Sequence, residues 1–170
     1  MMVMQWCENG DLGHNLQHIH TYGNVCQIAQ NIARGLREIH SSGLVHQDLH
    51  PGNILLDNKR LRAYIGDLGL CGQANQEANT DDSVFGVLPY IAPEVLNGES
   101  YTKAADIYSF GIIMWVLFSR KHPFSDMDWR NESELWWKKL EGQGQPEIPN
   151  WIPEQAAKLI SDCLNIEPLM

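Results

Sequence analysis

Cationic side chains are in short supply in this sequence. Lys and Arg number 12 against 21 Asp and Glu, a net charge of −9. A nucleic-acid surface needs a basic patch to neutralise phosphates, so no nucleic-acid partner is expected. Cysteine is sparse as well. Cys7, Cys26, Cys71 and Cys163 stand apart, with no Cys-x-x-Cys pair. That argues against a zinc site or disulfide framework and fits a reducing compartment, so a cytoplasmic location is expected. Long hydrophobic runs are missing: the longest, Ile112 to Phe118, is far too short to span a bilayer. No basic stretch precedes an apolar one at the N-terminus, as a signal peptide would require. Internal repeats, low-complexity tracts and composition breaks between domains are also missing. What is present is a 44% hydrophobic chain of 170 residues, enough for one domain with a real core.

The apolar spacing predicts mostly helix. Val25, Ile28, Ala29, Ile32, Leu36 and Ile39 line one face of a helix over Val25–His40. Ser41-Ser42-Gly43 ends it, with Gly43 as the left-handed cap. Tyr101 to Ser119 is apolar all round and reads as a central, buried helix. Asp106 near its start suits the positive end of the helix dipole and can accept backbone N–H bonds there. Further helices are expected over Glu132–Leu140 and Pro153–Leu164, joined by a Gly/Pro-rich connector at Gln143–Pro149. Trp136 and Trp137 are read either as core packing or as a docking surface. Met1–Trp6 reads as a buried strand running into the turn-rich Cys7-Glu8-Asn9-Gly10-Asp11. Two short strands are expected around a turn at Asp57-Asn58-Lys59. Leu70 to Tyr90 is polar and aperiodic, an exposed loop.

The most informative stretch is Val45-His46-Gln47-Asp48-Leu49-His50-Pro51-Gly52-Asn53. Pro51 fixes its own φ and drives His50 out of the helical region, and Gly52 accepts any φ. Such a rigid loop can point Asp48 and Asn53 into one cleft. The apolar Ile54-Leu55-Leu56 would anchor it as a strand, and a second acid follows in Ile65-Gly66-Asp67-Leu68-Gly69. Carboxylate, amide, carboxylate is the oxygen-rich set that hard cations such as Mg²⁺ prefer. That chemistry suits transfer of a phosphoryl group held on magnesium.

Taken together, these residues resemble the protein-kinase catalytic core. His46-Gln47-Asp48 stands where the family has His-Arg-Asp, and Asn53 falls on its magnesium-binding asparagine. Asp67-Leu68-Gly69 matches Asp-Phe-Gly, Ala92-Pro93-Glu94 matches Ala-Pro-Glu, and Asp106 to Gly111 looks like the start of the family's buried central helix. The resemblance implies a mainly α fold, a protein-kinase-like C-terminal lobe with a few short β-strands at the hinge and at the catalytic and magnesium loops. It implies phosphoryl transfer from ATP–Mg²⁺ to a serine or threonine hydroxyl of a protein substrate, with tyrosine an open alternative. Asp48 would be the catalytic residue, and Asn53 and Asp67 would hold magnesium. Met4, Cys7, Asp11 and Leu55 would contact the nucleotide, as gatekeeper, backbone hydrogen-bonder, ribose contact and floor beneath the adenine. Read without the family, Met4 to Asp11 is a strand entering a loop and Leu55 a buried strand residue. Asp106 would brace the catalytic loop. Thr80 and Ser83, on the implied activation segment, are either phosphosites or simply solvated hydroxyls. His18, His20, His46 and His50 are too irregularly spaced for a metal site.

Departures from the pattern qualify what is implied. Gln47 replaces the arginine that pairs with a phosphate on the activation segment, so activity is expected not to depend on that contact. His50 and Val87 stand where serine/threonine kinases carry lysine and threonine, and the style is closest to tyrosine-kinase-like kinases. The sequence has no Gly-rich loop, strand lysine or partner glutamate. Residues 1–170 are therefore expected to form one partial kinase domain, from the hinge to the late C-lobe helices, inactive by itself. The missing N-terminal lobe or a docking partner would cover Met1–Trp6. The arginine that usually pairs with the Ala-Pro-Glu glutamate is also absent, so Glu94 is expected to lie unpaired. The competing reading is a non-catalytic, pseudokinase-like binding module.

Overall fold

The computed structural model describes residues 7–57, 62–74, 86–124, 132–141 and 145–165. Met1–Trp6, Asn58, Lys59, Thr80, Ser83 and part of the Gln143–Pro149 connector lie outside the described residues. Six helices appear among the described residues: α1 Leu12–Asn15, α2 Tyr22–Ser41, α3 Pro93–Leu96, α4 Lys103–Ser119, α5 Glu132–Leu140 and α6 Glu154–Leu164. Short strands complete the fold: β1 Leu44–Val45, β2 Ile54–Asp57, β3 Arg62–Ile65 and β4 Gly72–Gln73. They pair antiparallel as β1 with β4 and β2 with β3, the latter in the register Ile54↔Ile65 through Asp57↔Arg62. The mainly α architecture with small sheets is the one expected.

Helix α4 is the core. Every residue from Tyr108 to Leu117 is buried, because its neighbours surround it. Side chains such as Ile112, Ile113 and Leu117 each contribute about 1.5–3 kcal/mol on leaving water. Helix α6 crosses α4 closely at Gly111, where a Cβ would come within 2.8 Å of the Cys163 Cβ. Helix α2 presents Val25, Ile28, Ala29, Ile32 and Leu36 to the same core, along the face that its periodicity predicts. It begins earlier than expected because the Thr21 side chain accepts the Asn24 amide. Asn31 Oδ1 accepts the Ala63 amide and ties β3 to α2.

Asp106 does not act as the acceptor at the start of α4. Thr102 takes that role, accepting the Ala105 amide. The Asp106 carboxylate reaches outward instead, to the loop that follows β1, the one it was expected to brace. It accepts the backbone N–H groups of His46 at 2.8 Å and Gln47 at 3.1 Å, and His40 Nε2 at 2.7 Å. Only 2% of Asp106 is exposed, so these bonds replace its lost hydration. Asp106→Ala would strand three donors. We expect it to lower unfolding stability by about 3–5 kcal/mol, as read by urea titration.

Candidate active site

The loop that carries Asp48 runs from β1 to β2 and is bent at Gln47, whose φ of 72° is left-handed. The two Asp106 bonds to the amides leading into that bend hold the unusual backbone. Fully buried His46 packs beneath, with Nδ1 accepting the Asp48 amide at 3.3 Å and Nε2 lying 3.0 Å from the Gly66 carbonyl. Nδ1 as acceptor and Nε2–H as donor define a neutral imidazole that spans two loops. His46 thus links the backbone carrying Asp48 to the residue preceding Asp67.

Asp48 and Asn53 meet directly. The Asn53 amide donates to the Asp48 carbonyl at 2.8 Å and to its Oδ2 at 3.0 Å. Both bonds use the amide nitrogen, so the amide oxygen remains as a hard donor. Asn53 in turn lies beside Gly66, whose amide donates to the Asn53 carbonyl at 2.8 Å. The β2–β3 register therefore delivers Asp67 next to the start of β2, where Asn53 sits. Asp67 is exposed, left-handed at φ 51°, and one of its carboxylate oxygens accepts the Gly69 amide at 3.4 Å. An amide oxygen and an exposed carboxylate fit a magnesium ion in chemistry.

His50 turns back on the same loop, with Nδ1 accepting the Gly52 amide at 3.2 Å and Nε2 3.7 Å from Asp48 Oδ2. Burial lowers its pKa, while the charges of Asp48, Asp11 and Asp67 act in the opposite sense. Three acids, Asp48 two residues away and the sequence-distant Asp11 and Asp67, thus act electrostatically on one ring.

The remaining nucleotide candidates are less closely joined. Asp11 pairs with Leu55 through an isolated β-bridge, and the Leu56 amide donates to the Gly10 carbonyl at 2.8 Å. Leu55 is half-buried on the strand face opposite Ile54 and Leu56, against Gly66. The Asp11 carboxylate is already engaged by His14, through the backbone amide at 3.0 Å and the ring at 2.6 Å. Burial works to raise its pKa, but these His14 contacts hold it below the ordinary carboxylate value. Cys7 is half-buried, its thiol pushed up by burial and by Asp57. Met4 lies outside the described residues.

This arrangement agrees with what the chain resembles across its length. The family model described as "Protein kinase domain" matches residues 1–169. The chain belongs to the protein kinase family. It is 30% identical to mitogen-activated protein kinase kinase kinase 7 of Drosophila melanogaster over 98% of the chain and 25% of the fly protein. It is 36% identical to a dual serine/threonine and tyrosine protein kinase of Xenopus tropicalis over 84% of the chain and 15% of that protein. An RGS domain-containing serine/threonine-protein kinase of Dictyostelium discoideum is 32% identical over 98% of the chain and 14% of its own length. The kinase chain thus spans a quarter or less of these relatives. Among its described residues no helix is long and apolar enough to cross a membrane.

One residue of this kinase escaped the sequence reading. Lys139, on α5, is fully buried. Its Nζ donates to the carbonyls of Leu88 at 3.1 Å, Pro89 at 2.9 Å and Ile91 at 2.6 Å, and lies 4.8 Å from the Tyr108 ring centroid. The available signal was its spacing, since Lys139 falls four residues after buried Leu135 on the inward face. Lys139 also acts on Glu94, whose pKa burial raises with the Glu99 charge adding to it, while a backbone hydrogen bond and the Lys139 charge lower it.

Burial pushes the Lys139 ammonium down to about 7, while Glu94 acts to raise it. In the unfolded chain this group titrates near 10.5, so between those values the unfolded state holds a proton that the folded state has released. Stability should therefore rise with pH, by up to about 1.4 kcal/mol per unit from this residue. The groups facing it are Glu94, whose pKa burial raises, and Tyr108, whose pKa burial raises well above its ordinary value. Urea titrations from pH 7.5 to 9 should show this slope in the unsubstituted chain and a flatter one in Lys139→Met.

Proposed function

We propose that this chain carries the catalytic residues of a kinase that moves the terminal phosphoryl group of ATP to a serine or threonine hydroxyl of a protein, tyrosine being the alternative acceptor. The observation that carries this reading is the Asn53 amide fastened to Asp48 through both the carbonyl and Oδ2. It fixes the carboxylate and leaves Oδ1 on the side of Gly86, where a Cβ would lie 3.5 Å from it. An acceptor hydroxyl gives its proton to Asp48 as its oxygen bonds to the phosphorus and ADP departs. Position matters more than basicity, because the transition state is loose. Asn53 and Asp67 would hold Mg²⁺, which when bound spreads the developing charge on the phosphates. Leu55, Cys7, Asp11 and Met4 would line the nucleotide side, with Asp11 exchanging His14 for the ribose.

Exposed Trp137 favours a second reading, a non-catalytic module that holds partners through its helical surface. Transfer of labelled phosphate separates the two. In a protein joining this chain to a glycine-rich small lobe, Asp48→Asn is expected to slow transfer by about a thousandfold. Asn53→Ala or Asp67→Ala should raise the Mg²⁺ concentration needed for half-maximal rate. Equal rates for Asp48→Asn and the unsubstituted protein would favour the module.

Gln47 bears on how the kinase is switched. Its amide packs onto Gly72, where a Cβ would meet Nε2 at 2.5 Å, and it offers no positive charge. Thr80→Glu and Ser83→Glu should therefore change the transfer rate by less than about twofold. A strong activation by either would overturn this expectation.

A further inference from the structure

The segment Gly86–Ile91 lies against the catalytic loop. Gly86 has a φ of 114°, and a Cβ there would sit 3.3 Å from Ile91 Cγ1 and 3.5 Å from Asp48 Oδ1. Any hydroxyl approaching Asp48 on that side passes this segment. Its backbone is held in an unusual way. Four consecutive carbonyls point inward to side chains of two helices: Leu88, Pro89 and Ile91 to Lys139 on α5, and Tyr90 to the Ser109 hydroxyl on α4 at 2.8 Å. Below about pH 7, where Lys139 is protonated, three carbonyl oxygens match the three N–H bonds of its ammonium. With the carbonyls turned in, Val87 is left 42% exposed beside the cleft.

We propose that Lys139 is a positioning residue for the acceptor peptide: from α5 it gathers the Leu88–Ile91 carbonyls and so sets the face of the segment that the peptide meets. This rests on the kinase reading given above. A buried lysine is a costly way to fill space, and an apolar side chain would serve packing alone at least as well. What an apolar side chain cannot do is bind three carbonyls of a segment whose own backbone bonds amount to one short 3-10 turn, Leu88–Tyr90. The same bonds join α5 to the segment beside Asp48, so a change in the position of α5 would be felt at the acceptor.

Two measurements test this. In the 170-residue chain, hydrogen exchange at the amides of Tyr90, Ile91 and Ala92 should quicken about tenfold or more in Lys139→Met, with α2 unchanged. In a transfer-competent protein containing the chain, the same substitution should raise KM for an acceptor peptide about tenfold while KM for ATP stays within about twofold. Unchanged exchange, or equal rises in both KM values, would overturn the proposal. If Lys139→Met does not fold, NMR of the unsubstituted chain decides. Below pH 7 the Lys139 Nζ resonance should show hydrogen-bond couplings to the carbonyl carbons of Leu88, Pro89 and Ile91, and a solvent-averaged resonance would overturn the proposal. Absence of transfer by the unsubstituted protein would remove the kinase reading and the substrate role with it, whatever the exchange shows.

Discussion

The active loop depends on a single buried carboxylate. Asp106 accepts N–H groups from His40, His46 and Gln47, which come from the end of one helix and from the bend of the loop it supports. The interaction is strong because it is charge-assisted and shielded from water. Without it, the left-handed Gln47 would have no compensation for its strain. The carboxylate is itself fixed by α4, whose apolar surroundings allow it little freedom. Position thus passes from hydrophobic burial to one ion, from the ion to a loop backbone, and from that backbone to Asp48.

His46 extends this order sideways. One neutral ring accepts from the Asp48 amide and donates to the Gly66 carbonyl, so the two acid-bearing loops share a strut. Asn53 makes a second connection, with its side chain on Asp48 and its carbonyl on the Gly66 amide. Two short-range contacts therefore coordinate residues that lie almost twenty positions apart in the chain.

Much of this was legible in the sequence where the determinants are local. Asp48 and Asn53 are five residues apart with Pro51 and Gly52 between them, so their convergence follows from a rigid turn. Helix α4 announces itself by being apolar all round, and α2 by one apolar face. Long-range partners were harder to read. From the residues alone Asp106 looked like a helix-start acceptor, yet its partners lie about sixty positions away and no periodicity reports them. Only the resemblance to a family supplied that role. Lys139 was missed because a lysine on an amphipathic helix ordinarily reaches water, and its three carbonyl acceptors lie about fifty positions upstream. Trp136 and Trp137 divide between the two readings: the first packs against the core and the second is 64% exposed.

The pairing of β1 with β4 has one more implication. Leu44↔Gln73 and Val45↔Gly72 cinch the chain into a lasso, and Asp48, Asn53 and Asp67 all lie inside it. Two residue pairs are a weak knot, and a ladder so short can open without unfolding the helical core. When it opens, the Asp106 anchor, the His46 strut and the Asn53–Gly66 bond remain, so the three polar side chains are placed by contacts within the lasso and not by its knot.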